Sequence, residues 1–186
     1  PMELRRKARS RAEEFEALAA PEEKRVYGIC YHMMGNREDA LDCAQEAMLR
    51  AFRAFDTFRQ DARFSTWLSR IATNVSLDAL RKRRDVVSLE AAREEKGFDP
   101  PDPTPGAYAR LEEKERRRLL RQAMEQLPPE MRQVIVLREM EGMAYDEIAQ
   151  ALNLPLGTVK SKVSRAREKL CAILQTSSEL FSSQSV

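Results

Sequence analysis

The residues with the most chemistry to offer lie near the C-terminal end of the 186-residue chain. Thr158, Lys160, Ser161, Lys162, Ser164, Arg165 and Arg167 place hydroxyls, ammoniums and guanidiniums on one stretch. Its apolar positions, Val159, Val163, Ala166 and Leu170, recur at helical spacing. Long donors on an exposed helix face suit phosphates and base edges in a duplex major groove. Gly157 and Thr158, at the start of that helix, can offer backbone and hydroxyl donors to a phosphate. The rest of the reactive inventory is thin. A single histidine, His32, leaves little scope for acid–base work, and there is no nucleophile with its base, phosphate loop or pair of catalytic carboxylates. An enzyme is not expected. Cys30, His32 and Cys43 are the one grouping that could attract a metal, but Cys30 and His32 stand two apart on a helix and point to different faces. Neither a metal nor a cofactor is expected.

The basic helix needs elements that hold it in place. Ahead of it, Ile148, Ala149 and Leu152 form one short apolar helix face, Asn153 sits where the chain must turn, and Pro155 suits a first helical turn. A small residue, a turn and then β-branched Val159 make the helix-turn-helix pattern. An ordinary helical hairpin is the plain alternative, and the outward Lys160, Ser161, Ser164 and Arg165 weigh against it. Further upstream, a highly charged helix from about residue 108 ends at Leu127, Pro128-Pro129 starts the next, Val134–Leu137 are core, and Gly142 breaks that helix.

The N-terminal half reads as a helical bundle. Phe15, Leu18 and Ala19 begin an apolar stripe that Val26, Ile29, Cys30, Met33 and Met34 continue, until Gly35-Asn36 stops it. Asn36 can cap a helix with Ala40, Leu41, Ala44, Met48, Ala51, Phe52 and Phe55 on one face and Glu38, Asp39, Asp42, Gln45 and Glu46 on the other. Phe58–Phe64 is a loop candidate. Ser65 or Thr66 can cap a last helix to about Arg84, burying Trp67, Leu68, Ile71, Val75 and Leu80.

Between the halves, 97–106 is too rich in Pro, Gly and Asp for a helix and reads as an extended linker. The expected division is 1–85, linker 86–107, 108–176, and a Ser-rich disordered tail 177–186. The fold class is all-α, two small helical domains. Net charge is only +2, but it hides an acidic patch at 38–46 and basic ones at 81–84 and 153–171, so a protein partner and a polyanion are both in play. No apolar run approaches the ~20 residues that span a bilayer. The basic N-terminus lacks the apolar core of a signal peptide, and three cysteines make no disulfide framework; these point to the cytoplasm.

Residues 36–52, NREDALDCAQEAMLRAF, resemble the D-A-E-D-x-x-Q-E-x-F-L-R-A-W signature of bacterial extracytoplasmic-function sigma factors of RNA polymerase. Phe64–Asn74, with Asp78 and Arg81–Arg84, is similar to that family's promoter-melting helix, and 127–170 to its promoter-reading C-terminal domain. Cys43 and Ala44 stand where Leu- and Val-type residues are usual, and Phe52 where Trp is frequent.

The resemblance implies an alternative sigma factor whose partners are core RNA polymerase, promoter DNA and an anti-sigma factor. Glu38, Asp39, Asp42, Gln45, Glu46 and Arg50 would bind the clamp helices of the largest subunit. Phe58, Arg63, Phe64, Asn74, Arg81 and Arg84 would recognise and open the −10 element as single strand, with aromatics to stack on a base and an amide to bond its edge. Thr158, Lys160, Ser161, Lys162, Ser164, Arg165 and Arg167 would read the −35 duplex. In the linker, Glu90, Glu94, Glu95, Asp99 and Asp102 outnumber Arg93 and Lys96 and would mimic nucleic-acid charge in a basic channel. The alternative is a helix-turn-helix regulator with an N-terminal effector or dimerisation domain.

Overall fold

The computed structural model describes residues 2–58, 63–87 and 107–183, and among these every regular element is helical. The linker 88–106, the loop core 59–62 and the last three residues lie outside the described residues, so the expectations placed on them are not addressed. In chain order come α1 (Met2–Ala19), a 3₁₀ turn (Ala20–Glu22), α2 (Glu23–Met34), α3 (Arg37–Ala54), a second 3₁₀ turn (Phe55–Thr57) and α4 (Phe64–Val87). The second half contains α5 (Ala107–Glu125), α6 (Pro129–Ile135), a π turn (Val136–Met140), α7 (Tyr145–Leu152) and α8 (Leu156–Ser183).

Local chemistry fixes the joints of the first half. Gly35 ends α2 at φ +82°, a left-handed conformation that suits glycine, and its N–H donates to the Tyr31 carbonyl at 2.9 Å. Extended Asn36 then caps α3, its side chain accepting the Asp39 N–H at 3.0 Å. α3 buries only small side chains, Ala40, Cys43, Ala47 and Ala51, which lets α2 and α4 pack closely along it. α4 brings in Leu68, Ala72, Val75 and Leu77, together with buried Ser69, Thr73 and Ser76. Those hydroxyls donate back to the carbonyls of Ser65, Arg70 and Ala72, so none is buried without a partner.

Four details depart from the sequence expectations. α4 begins at Phe64, with the Trp67 N–H bonded to the Arg63 carbonyl, so Ser65 and Thr66 lie inside the first turn and do not cap it. Leu18 and Leu41, expected on inward stripes, are 40% and 42% exposed because, among the described residues, no helix covers that side of α1 and α3. Trp67, Ile71 and Leu80 are only partly buried, at the rim of the core. α8 runs through Ser183, into the segment where Ser-rich composition predicts disorder. Extending a helix already nucleated upstream adds one bond per residue fixed, which offsets weak propensity.

In the second half, Pro129 opens α6 as a first-turn proline and Gly142 (φ +65°) ends the π turn. Val134–Leu137, Ile148, Val159, Val163 and Ala166 are buried, and α6 packs on α8. The halves also meet. α4 touches α6 and α7, α2 touches α5 and α6, and the buried apolar residues form one continuous cluster. Arg132, 5% exposed, reaches from α6 to donate to the Met33 carbonyl at the end of α2 and to the carbonyls of Glu125 (2.7 Å) and Leu127 (3.3 Å). The carbonyl-rich ends of two helices thus offset the burial of its charge, which lowers its pKa.

Candidate nucleic-acid and protein-docking surfaces

α7 and α8 meet through Asn153, at φ +52° and ψ +48°, whose N–H caps α7 on the Gln150 carbonyl at 3.3 Å. Asparagine is one of the few side chains that tolerates this region, so the sharp corner is written into its residue type. The Glu147 carboxylate accepts the Ala144 N–H at 2.7 Å and closes the other end of α7. The Val159 N–H bonds the Pro155 carbonyl at 3.1 Å, so Pro155 stands just ahead of α8's first turn. With Val159, Val163 and Ala166 fully buried, Lys160, Ser164 and Arg165 face solvent. The geometry is that of a helix held by its apolar edge and offered by its polar one.

On α4, Asn74 is half-buried and its side-chain oxygen accepts from the Gln133 amide at 2.8 Å. One turn on, Leu77 and then Arg81 continue that face; Arg81 pairs with Glu130 at 3.0 Å. At the start of α4, Phe58, Phe64 and Trp67 form a mutual cluster with ring centroids 5.2–5.5 Å apart, and Phe64 also contacts Phe15 and Phe55 edge-on. Phe58 and Phe64 therefore serve the core while keeping partial exposure.

On α3, Glu38, Asp42 and Gln45 are exposed. Asp39 and Glu46 are engaged within the chain: Asp39 with Asn36 and with Arg83 at 2.6 Å, Glu46 with Arg50 at 2.7 Å, and Arg50 in turn with Asp78 at 3.2 Å. The Arg50 hydrogen bond holds the Glu46 carboxyl below its ordinary value. Beside this acidic surface lies an apolar groove of about 760 Å³ between α1, α2 and α3, lined by Phe15, Tyr27, Leu41, Met48 and Phe52. Leu49 on its edge is 51% exposed.

The chain matches the families described as Sigma-70 region 2, over residues 18–86, and Sigma-70 region 4, over residues 117–170. It is 38% identical to the extracytoplasmic-function (ECF) RNA polymerase sigma factor SigW of Bacillus subtilis, over 78% of this chain and 81% of that protein. This chain is an ECF sigma factor. It is also 40% identical to the ECF RNA polymerase sigma-E factor of Escherichia coli, over 71% of this chain and 72% of that one. Against SigE of Mycolicibacterium smegmatis, 39% identical over 78% of this chain, it spans 56% of the relative's length. Among solved structures, CnrH in complex with the cytosolic domain of CnrY has a TM-score of 0.58 at 28% identity, over 91% of this chain and 92% of that one. The sigma factor RpoE of Bartonella quintana, in complex with the anti-sigma factor NepR, shares the fold, with a TM-score of 0.70 at 22% identity over 88% and 98%.

The residues expected to matter in this sigma factor fall into distinct settings. Lys160, Ser164 and Arg165 are presented outward. Ser161 donates to the Thr158 carbonyl at 2.9 Å, and Thr158 is half-buried with it. Lys162 turns toward α4, lining a cleft with Asn74 and Arg81, and Arg167 is paired with Glu139 at 2.5 Å, which raises its pKa. Arg63 is exposed; the Arg84 side chain is outside the described set. Cys30 and Cys43 are both buried, and burial pushes the Cys30 thiol up to about 12. No metal-binding group of His, Cys, Asp and Glu forms among the described residues. Sequence reasoning missed Leu49 and the groove beside α3. The signal was present in Leu41, Met48, Leu49 and Phe52, an apolar arc wider than one packing partner covers. It also missed Arg132, Gln133 and Glu141, whose partners are far away in the chain.

Proposed function

We propose that this chain confers promoter recognition on core RNA polymerase through a division of labour between residues 1–85 and 108–176, with 86–107 as the connection. The first unit docks on the polymerase clamp through the exposed acidic residues of α3 and the leucines beside them. It then takes the −10 element as single strand on α4, where Asn74 reads a base edge and Arg81 and Arg63 meet phosphates. The second unit places α8 in the −35 major groove, with Lys160, Ser164 and Arg165 toward the DNA and Thr158, Ser161, Lys162 and Arg167 at its borders. The factor contributes binding energy and carries no reaction of its own. It works beside the polymerase in the cytoplasm, and no described helix is long and apolar enough to cross a membrane.

The observation that carries this reading is the α7–Asn153–α8 corner, which buries Val159 and Val163 completely and leaves Lys160 and Arg165 exposed within a chain of this family. Such an arrangement matches major-groove docking of a recognition helix. An anti-sigma factor is a further partner, by analogy with the sigma factor RpoE, whose solved structure holds the anti-sigma factor NepR. The test is co-purification with core polymerase, with promoter binding measured with and without core. Sequence-specific promoter binding that requires core supports the proposal. Tight specific binding without core, and no association with core, would instead favour a helix-turn-helix regulator.

A further inference from the structure

One acidic residue stands in the basic stretch of α8. Between Asn153 and Cys171, positive charge is carried by Lys160, Lys162, Arg165, Arg167 and Lys169, and negative charge by Glu168 alone. Residues four apart on a helix lie one above the other, so Lys160, Ser164 and Glu168 form a single row. All three are exposed, on the side of α8 away from buried Val159, Val163 and Ala166. Glu168 therefore belongs to the face proposed to meet the −35 duplex. Its charge repels phosphates there, so it lowers affinity for DNA as such.

Its carboxylate is engaged. The Ser164 hydroxyl donates to Glu168 Oε1 at 3.0 Å, as a helical side chain that leans toward the N-terminus allows. Other helical hydroxyls point the opposite way along the chain. Ser76, Ser161 and Thr176 donate back to the carbonyls of Ala72, Thr158 and Ala172, within their own helices. A carboxylate only accepts, so the Ser164 proton is committed to Glu168 and the oxygen turns its lone pairs outward.

That commitment changes what Ser164 can read. A serine hydroxyl that rotates freely bonds either kind of base edge. Held by Glu168, it offers an acceptor backed by a negative charge and no donor. An adenine N6 or cytosine N4 amino group satisfies it, whereas guanine O6 or thymine O4 sets acceptor against acceptor. Beside it, Lys160 and Arg165 are donors only and suit the acceptor edge of guanine.

We propose, resting on the assignment of α8 to the −35 element, that Ser164 determines specificity for an amino-bearing base and that Glu168 is the positioning residue that fixes its polarity. The pair works by exclusion. It gives up general affinity for DNA and penalises acceptor edges at one base pair.

The test is holoenzyme affinity, with the full chain, for a −35 duplex that the wild-type holoenzyme selects from a randomised pool, and for each single-base-pair variant of that duplex. At one position, wild type should prefer A or C to G or T by at least about fivefold, the scale of one mismatched contact. Ser164→Ala should level that position and leave the others. Glu168→Ala should level the same position and also bind every duplex more tightly at low salt, a general gain that fades as salt screens it. Glu168→Gln separates charge from orientation. It keeps an oxygen for the Ser164 proton, so it should show the general gain and retain the preference.

A Glu168→Ala gain that is equal for every duplex, with the preference intact, would mean that Glu168 acts by charge alone and would overturn the proposal. Levelling at different positions in Ser164→Ala and Glu168→Ala would overturn it too. Lys160→Ala/Arg165→Ala tells this failure from failure of the −35 assignment. If that double variant weakens −35 binding while no preference depends on Ser164 or Glu168, the assignment stands and the proposal falls. If it leaves −35 binding unchanged, the assignment falls and the proposal with it.

Discussion

Lys160→Ala and Arg165→Ala probe α8 most cleanly, because both side chains are exposed and neither makes a hydrogen bond or ion pair among the described residues. Alanine is the best helix former, and the buried edge of α8, Val159, Val163 and Ala166, is untouched, so the fold should be unaffected. A well-made base contact is worth about 1–3 kcal/mol, and separated positions add roughly. Each single variant should therefore lose at least several-fold in −35 affinity, and the double variant about 30-fold or more. Arg167→Ala is the internal control. Its guanidinium must first leave Glu139, held at 2.5 Å and 2.8 Å, so its loss should be the smallest of the three. Holoenzyme affinity for a −35 duplex across a salt series is the assay. A side chain on a phosphate reduces the slope of log K against log salt by about 0.9 when removed, whereas a base contact leaves the slope and lowers affinity at all salts. Circular dichroism confirms that helicity is kept. Wild-type affinity and slope in the double variant would refute the placement of α8 in the groove.

Three further outcomes follow from the same geometry. Reversing Glu38 and Asp42 while changing Leu41 and Leu49 to Ser should abolish co-purification with core at moderate salt without changing helicity; retained binding would return this face to plain solvated surface. Of the three cysteines, only exposed Cys171 should react rapidly with a thiol reagent near neutral pH, since burial raises the pKa of both Cys30 and Cys43; more than one fast thiol per chain would contradict the packing of α2 on α3. Asn153→Val should destabilise the C-terminal half by about 1–2 kcal/mol, because a β-branched residue fits a left-handed corner poorly, whereas Asn153→Gly should be close to neutral; equal melting of all three would argue against the corner.

Much of this architecture is legible in the sequence wherever a local interaction decides it. Gly35 and Asn36 stop one helix and cap the next through contacts within four residues, and Asn153 turns the chain by its own tolerance of positive φ. Val159, Val163 and Ala166 are buried as their spacing requires. What periodicity does not supply is which apolar face finds a cover. Leu41 shares a stripe with Ala40 and Ala44, yet no described helix lies over it, and the groove beside it follows. Asp39 and Glu46 show the same limit for charge. Their type suggests a free acidic face, while Arg83 and Arg50 reach both. The pairing of halves is the least legible feature of all, since Arg25 meets Glu141 across 116 positions and Arg132 meets Met33 across 99. Residue type at either end gives no hint of the other.

Run-off transcription from a promoter library, with purified core polymerase in the presence and absence of this chain, tests the central claim most directly. The account predicts discrete transcripts only when the chain is present, from templates sharing a −35 and a −10 element at fixed spacing, with Lys160→Ala/Arg165→Ala losing preference at the −35 element and Asn74→Ala at the −10. A transcript pattern identical with and without the chain, although both proteins are active and mixed in excess, would contradict it.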